Sequence, residues 1–224
     1  MKKLFFVVLC IFAVMSVAAK NDARADIFFT NGEVLENVEL KLPGSWFDKV
    51  EYFIDGKKHK VHADSVDHLL LYHVDAPERK AYLRRNYIGQ YDFKKNELID
   101  WKAQNWQVLE SAGEHLLYWV SSWKVKVGKD KFTFNLGAYE GARRTPYYFQ
   151  KPTDPIALNI PSNFYRPGAT REWLADYLAD DPEIVGRISD KGYFSKKQSD
   201  FLRHGNAANP FYYEDIAVDY NPVK

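Results

Sequence analysis

Two Asx-Gly dipeptides, Asn31-Gly32 and Asp55-Gly56, each lie between runs of alternating apolar and polar residues. Such pairs accept the left-handed backbone of a two-residue turn whose twist matches that of paired strands. Each therefore predicts a β-hairpin. Val38, Leu40 and Leu42 share one face of an extended run, as do Val50, Tyr52 and Ile54. Residues 26–30, 34–42, 50–54, 57–63 and 66–74 read as short strands. Residues 26–75 are thus expected to form a small curved sheet or barrel-like unit of the Sm or Src-homology-3 type.

Residues 76–160 read as a linker followed by a second, antiparallel β region. The linker, residues 76–96, is charged and lacks clear alternation. Beyond it, residues 106–109, 115–127, 131–136, 147–150 and 156–160 are strand candidates. Turns are expected at residues 112–114 and 128–130, and at Pro152 and Pro155.

Residues 161–224 change period and predict a helical unit. Thr170 is placed to cap a helix with the apolar face Trp173, Leu174, Tyr177 and Leu178. Asp181-Pro182-Glu183 joins a capping carboxylate, a proline suited to the first helical position and an acid at the positive dipole end. Ile184, Val185 and Ile188 form the face of that helix. Ser195 and Gln198 make a capping box for a third helix ending near Gly205. Asn209-Pro210 opens a fourth, with Tyr212, Ile216 and Tyr220 spaced by four. The expected fold class is α+β: an N-terminal curved sheet or barrel, a second antiparallel β region and short C-terminal helices.

The first residues carry an address rather than a fold. Lys2 and Lys3 precede a nearly unbroken apolar run over residues 4–17, and Val17, Ala18 and Ala19 supply the small residues of a cleavage site. This predicts a signal peptide over residues 1–19 and a product in the periplasm or outer cell envelope. Cys10, the single cysteine, lies inside that run behind Leu9, which does not suit a lipid-anchor cysteine. The mature chain would then have no cysteine, which excludes disulfides, thiolate zinc sites and cysteine nucleophiles. Losing Lys2 and Lys3 leaves 29 of the 31 basic residues against 30 acidic ones. That balance argues against nucleic acid as a partner. No later run reaches the ~18 apolar residues of a membrane span.

The order of these segments resembles a group of exported proteins of unknown function common in Bacteroidetes. Ile27, Asn31, Gly32 and Val38 match one of its patterns, and Gly56, Lys57, Val61, Ala63 and Val66 match another. Leu174, Tyr177, Asp180, Pro182, Ile184 and Ile188 match its helical pattern, followed by Tyr220-Asn221. Residues 107–119 and 147–150 are similar to its middle segments. The family's usual cysteine after the helical aspartate is Asp181 here. The resemblance implies export and this architecture, and no catalytic residues.

Candidate chemistry is sparse. His59, His62, His68 and His73 lie near Asp64, Asp67 and Asp75. Alternation turns His59 away from His62 and His68 away from His73, which opposes a shared metal ion. No metal or other cofactor is expected. There is no Gly-x-Ser-x-Gly elbow and no phosphate loop. Glu110, Glu114, Asp180 and Asp181 are candidates for paired carboxylates, although Asp181 is better explained as a cap. Arg79, Lys80, Arg84 and Arg85, interleaved with tyrosines, form a candidate anion-binding run, with a charged linker as the plainer reading. Trp101, Trp106, Tyr118, Trp119 and Trp123 are candidates for a sugar-stacking platform, with core packing as the plainer reading. The expected function is that of a non-enzymatic binding or structural module of the cell envelope, with a glycan or an envelope protein as partner. The alternative is a small envelope hydrolase acting on glycan or peptide.

Overall fold

Asp55 and Gly56 take φ angles of +50° and +72°, and Ile54 pairs with Lys57 across them. This is the two-residue turn that an Asp-Gly pair favours. The Asn31-Gly32 turn is longer than expected: Phe29 N–H donates to the Glu33 carbonyl at 2.9 Å, and Gly32 N–H to the Phe29 carbonyl at 3.0 Å. The Asn31 carboxamide oxygen accepts the Glu33 N–H at 3.0 Å and stabilises the wider loop.

A computed structural model describes residues 22–44, 46–122, 125–130, 132–134, 147–160, 167–190 and 213–222. Its strands are β1 (Ala23–Phe29), β2 (Val34–Lys41), β3 (Lys49–Ile54), β4 (Lys57–His62), β5 (Val66–His73), β6 (Ala76–Asp92) and β7 (Glu97–Ala112). They continue as β8 (Leu117–Ser121), β9 (Val125–Val127), β10 (Phe132–Phe134), β11 (Tyr147–Gln150) and β12 (Ile156–Asn159). The helices are α1 (Pro167–Tyr177), α2 (Pro182–Ser189) and α3 (Tyr213–Asp219). The expected leader, the expected third helix, Trp123, Asn209-Pro210 and Tyr212 lie outside the described residues.

The chain is β-rich with a few short helices. Ten strands form one sheet in the order β12-β11-β8-β7-β6-β5-β1-β2-β3-β4, and β12 also pairs with β6. The closed part is therefore β6, β7, β8, β11 and β12. In the N-terminal part β4 pairs with β3 alone among the described strands, so that part of the sheet is not closed by them. The second region is also not wholly antiparallel. Five strands of alternating direction leave the first and last pointing the same way, and the closing β12–β6 pair is parallel.

Residues 76–92, expected as an irregular linker, form β6, which is 17 residues long. The charges at residues 78–80 and 84–85 hide its period. Leu83 is fully buried on one face and Ile88 on the other, because β6 is a wall of both halves. Three apolar clusters result. Ile27, Leu40, Val50, Leu69, Leu83 and Trp106 fill the N-terminal half. Ile88, Trp119, Tyr148 and Ala157 pack together on the opposite face. Tyr118, Phe149, Trp173, Leu174, Ile184 and Tyr213 join the helices to the outer face of β8, β11 and β12.

The helix signals are mostly local and appear largely where expected. Asp181 caps α2: its Oδ1 accepts the Glu183 and Ile184 N–H groups at 3.1 and 3.0 Å. Thr170 is not a cap. It is buried inside α1, which starts three residues earlier at Pro167. Proline suits a first helical turn, where its missing N–H leaves no bond unmade.

Candidate functional site

The tips of two hairpin turns and the end of α1 enclose a cleft of about 400 Å³. The β6–β7 turn supplies the first wall. Asp92 Oδ1 accepts the Lys94 and Lys95 N–H groups at 3.1 and 3.3 Å, and Asn96 takes a φ of +52°. An asparagine tolerates that left-handed backbone better than most residues. Tyr91 donates its hydroxyl to Asn96 Oδ1 at 2.8 Å, which fixes both side chains at the rim. The β11–β12 turn supplies the second wall, with Asp154 N–H donating to the Lys151 carbonyl at 2.9 Å. Gln150 braces that turn through a 2.8 Å bond to the Asp154 carbonyl.

Helix α1 closes the base. Trp173 is buried and donates its indole N–H to the Tyr91 carbonyl at 3.2 Å. Phe93 meets the Trp173 ring edge-on, with centroids 5.9 Å apart, and Tyr177 stacks on Trp173 at 5.0 Å. Tyr91, Phe93 and Tyr177 thus line the cleft together with Asn96, Lys151 and Asp154. The Tyr177 hydroxyl is buried: the Lys151 backbone N–H is directed at its oxygen, and its own proton has no acceptor. Burial, with the negative charge of Asp154 added, holds its proton well above the usual phenol range. It is therefore a hydrogen-bond donor and a poor acid.

Lys151 is held behind the cleft. Its ammonium donates to Asp180 Oδ2 at 3.0 Å and lies 5.5 Å from the ring centroids of both Tyr177 and Tyr220. Tyr220 donates to Asp180 Oδ1 at 2.6 Å. Burial alone would raise the Asp180 carboxyl, but the bonds from Tyr220 and Lys151 outweigh it and hold it below the usual range. Lys151 is thus neutralised within the protein. Asp154 is the one carboxylate among the residues lining the cleft, so a two-carboxylate hydrolytic pair is not assembled there.

The candidate sugar platform is dispersed. Trp106 is fully buried in the N-terminal cluster, Tyr118 is buried beneath the helices, and Trp119 is buried on the third cluster with Trp101 half-buried against it. Trp123 lies outside the described residues. The rings do not share an exposed face, because alternation along β7 and β8 sends neighbours to different clusters. Exposed rings lie elsewhere: Tyr87 on β6, and Trp46 and Phe47, 53% and 63% accessible, on a loop pinned by the Trp106 indole N–H donating to the Phe47 carbonyl at 3.1 Å.

The candidate anion run also divides. Lys80 pairs with buried Asp26, Arg85 with Asp64 at 2.6 Å, and Arg79 donates to the Asp130 carbonyl. Arg84 is exposed, on the same face as Lys80 and opposite to Arg79 and Arg85. The histidines sit apart, His59 and His62 on β4 and His68 and His73 on β5. Among the described residues no group of three or more such side chains is arranged around a metal position. None of the described helices is long and apolar enough to cross a membrane.

Tyr177, on a helix face, and Tyr91, in a charged segment expected as a linker, carry no local sign of the cleft they line. The available signal is the pair of aromatic residues Tyr91 and Phe93 flanking Asp92 at the start of a turn. No protein-family model, no curated protein and no solved structure matches the chain.

Proposed function

We propose that this chain is an exported, non-enzymatic binding module of the periplasm or outer cell envelope, and that its cleft takes an uncharged glycan. On this reading it stands with the Bacteroidetes-type exported proteins it resembles. The observation that carries the proposal is the buried Tyr177 hydroxyl, whose proton has no acceptor, at a cleft walled by aromatic residues. A buried donor without an acceptor costs about 1–3 kcal/mol, and a ligand oxygen removes that cost on binding. Tyr177 is stacked on Trp173 and Phe149, so the ring faces that suit the flat C–H face of a sugar are those of Tyr91 and Phe93. Asn96 and Asp154 can pair with its hydroxyls. With Lys151 already neutralised by Asp180, the remaining charge at the cleft is that of Asp154, which disfavours an acidic ligand. The volume lies within the range of ordinary small-ligand sites.

The test is a titration of the chain lacking residues 1–19 with maltotriose, cellotriose, mannotriose and chitotriose, followed by protein NMR. Shifts confined to residues 91–98, 151–156 and 177 support the proposal. Absence of binding by all four sugars, or shifts mapping outside the cleft, contradicts it.

A further inference from the structure

A second set of donors stands on the face of the sheet opposite the N-terminal core. In register, Phe28 pairs with His68, His68 with Arg84, and Arg84 with Gln107. Paired residues of antiparallel strands share a face, so these four side chains cross β1, β5, β6 and β7 in one line. A row of rings runs beside them. Phe28 stacks on His68 with centroids 4.2 Å apart, His68 on Tyr82 at 4.8 Å, and Tyr82 approaches Trp119 at 6.0 Å.

Two features of this face are unexplained by folding. Gln107 Nε2 and Trp119 Nε1 are both buried N–H donors without a hydrogen-bond partner. The Gln107 orientation is fixed, because its Oε1 accepts the Asn86 carboxamide at 2.9 Å and turns Nε2 the other way. Leu109 pairs with Trp119 and Gln107 with Ser121, so the two donors are diagonal neighbours on one face. Arg84, in register beside Gln107, makes no ion pair or hydrogen bond among the described residues, whereas Lys80 and Arg85 are both paired with carboxylates. The exposure gradient also has a direction. Trp119 and Gln107 are shielded, Phe28 and Tyr82 are half-buried, the His68 side chain is 20% accessible and Arg84 is exposed.

We infer that this face holds the carboxylate of a small organic acid. Arg84 supplies the positive charge and its paired N–H donors, the geometry that suits a carboxylate. Gln107 Nε2 and Trp119 Nε1 supply the inner N–H bonds that the fold leaves unmade. Phe28 and Tyr82 cover both faces of the His68 ring, so the rest of the ligand lies outward from the row of rings, beside Arg84. The site is separate from the cleft walled by Tyr91 and Tyr177, and takes ligands of opposite character.

Benzoate is a suitable probe, with benzamide as its uncharged counterpart, at constant ionic strength. The readout is the indole N–H resonance of Trp119 in the chain lacking residues 1–19, assigned by its loss in Trp119→Phe. Benzoate is expected to shift that resonance, and Arg84→Gln to weaken the effect at least about tenfold, as loss of a charge-assisted bond implies. Arg84 is exposed, so the variant should retain the wild-type melting temperature, which the same sample checks. Absence of a benzoate-induced shift overturns the proposal. So does a shift that persists in Arg84→Gln, or one that benzamide produces equally.

Discussion

Tyr220 donates its phenolic proton to Oδ1 of Asp180 at 2.6 Å, across the interval between the end of α1 and the segment that follows α3. The neighbouring Asp181 accepts the Asn221 N–H at 2.7 Å, so two consecutive carboxylates bind the same C-terminal segment. Tyr220→Phe removes a hydrogen bond to a charged acceptor and should cost about 1.5 kcal/mol. Because Asp180 is held below the usual carboxylate range, its contribution is complete above pH ~4 and is lost as pH falls through its lowered value. Urea denaturation at pH 7 and at pH 3 checks both points: the penalty of Tyr220→Phe should shrink at the lower pH.

Tyr72 and Asp26 give a two-sided pH dependence. Tyr72 donates to Asp26 Oδ1 at 2.9 Å. Burial first, then the bond to Asp26 and its charge, push the Tyr72 phenol up to about 12. A raised acid pKa adds stability that is present below the unfolded value of ~10 and is lost between there and pH 12. Asp26 is shifted the other way. Burial opposes its ionisation, but bonds from Lys80, the Asn37 backbone and Tyr72 prevail. Its contribution is present above pH ~4 and is lost below. Tyr72→Phe should flatten the alkaline limb of the stability profile between pH 10 and 12. An unchanged alkaline limb would contradict the assignment.

Gly113 sits where the β7–β8 turn meets α3. A Cβ there would lie 1.9 Å from the Ala217 carbonyl oxygen, a backbone atom that has little freedom to move aside. Gly113→Ala should therefore displace α3 and cost about 3 kcal/mol. Thermal melting followed by near-UV circular dichroism reports both the loss and the altered packing of Tyr213. A wild-type melting temperature would show that α3 does not seat against this turn.

Trp119 and Trp106 are core residues, and Trp46 is not. Replacing either buried ring by alanine should cost about 3–5 kcal/mol. Trp46→Ala, at a site 53% accessible, should change stability by about 0.5 kcal/mol or less. Chemical denaturation of the three variants separates them. A small penalty at Trp119 would restore the idea of an exposed ring platform on β8.

The features legible in the sequence are those set by neighbours along the chain. Asp55-Gly56 needs its own two backbone angles, and Asp181-Pro182 needs the N–H groups two and three residues on. The features missed depend on distant pairing. β6 serves as a wall of both halves, so its charged residues solvate parts of two faces and its alternation reads as noise. Closure by a parallel β12–β6 pair follows from the number of strands in the ring, which no local window contains. Trp106 and Trp119 are core residues, but nothing local distinguishes the clusters they join. Trp106 and Trp119 lie on paired strands and face different clusters. The cleft is the extreme case, since Tyr91, Lys151 and Tyr177 meet through two turns and a helix end.

The most direct measurement is calorimetric titration of wild-type and Tyr177→Phe with whichever of the four trisaccharides binds, alongside their melting curves. The phenylalanine variant deletes a buried hydroxyl whose proton has no acceptor, so its stability should change by about 1 kcal/mol or less. Its affinity should fall about tenfold, the worth of one hydrogen bond made in a shielded site. Equal affinity in the two proteins, or a variant that binds as well but melts lower, would contradict a ligand role for Tyr177 and with it the glycan cleft.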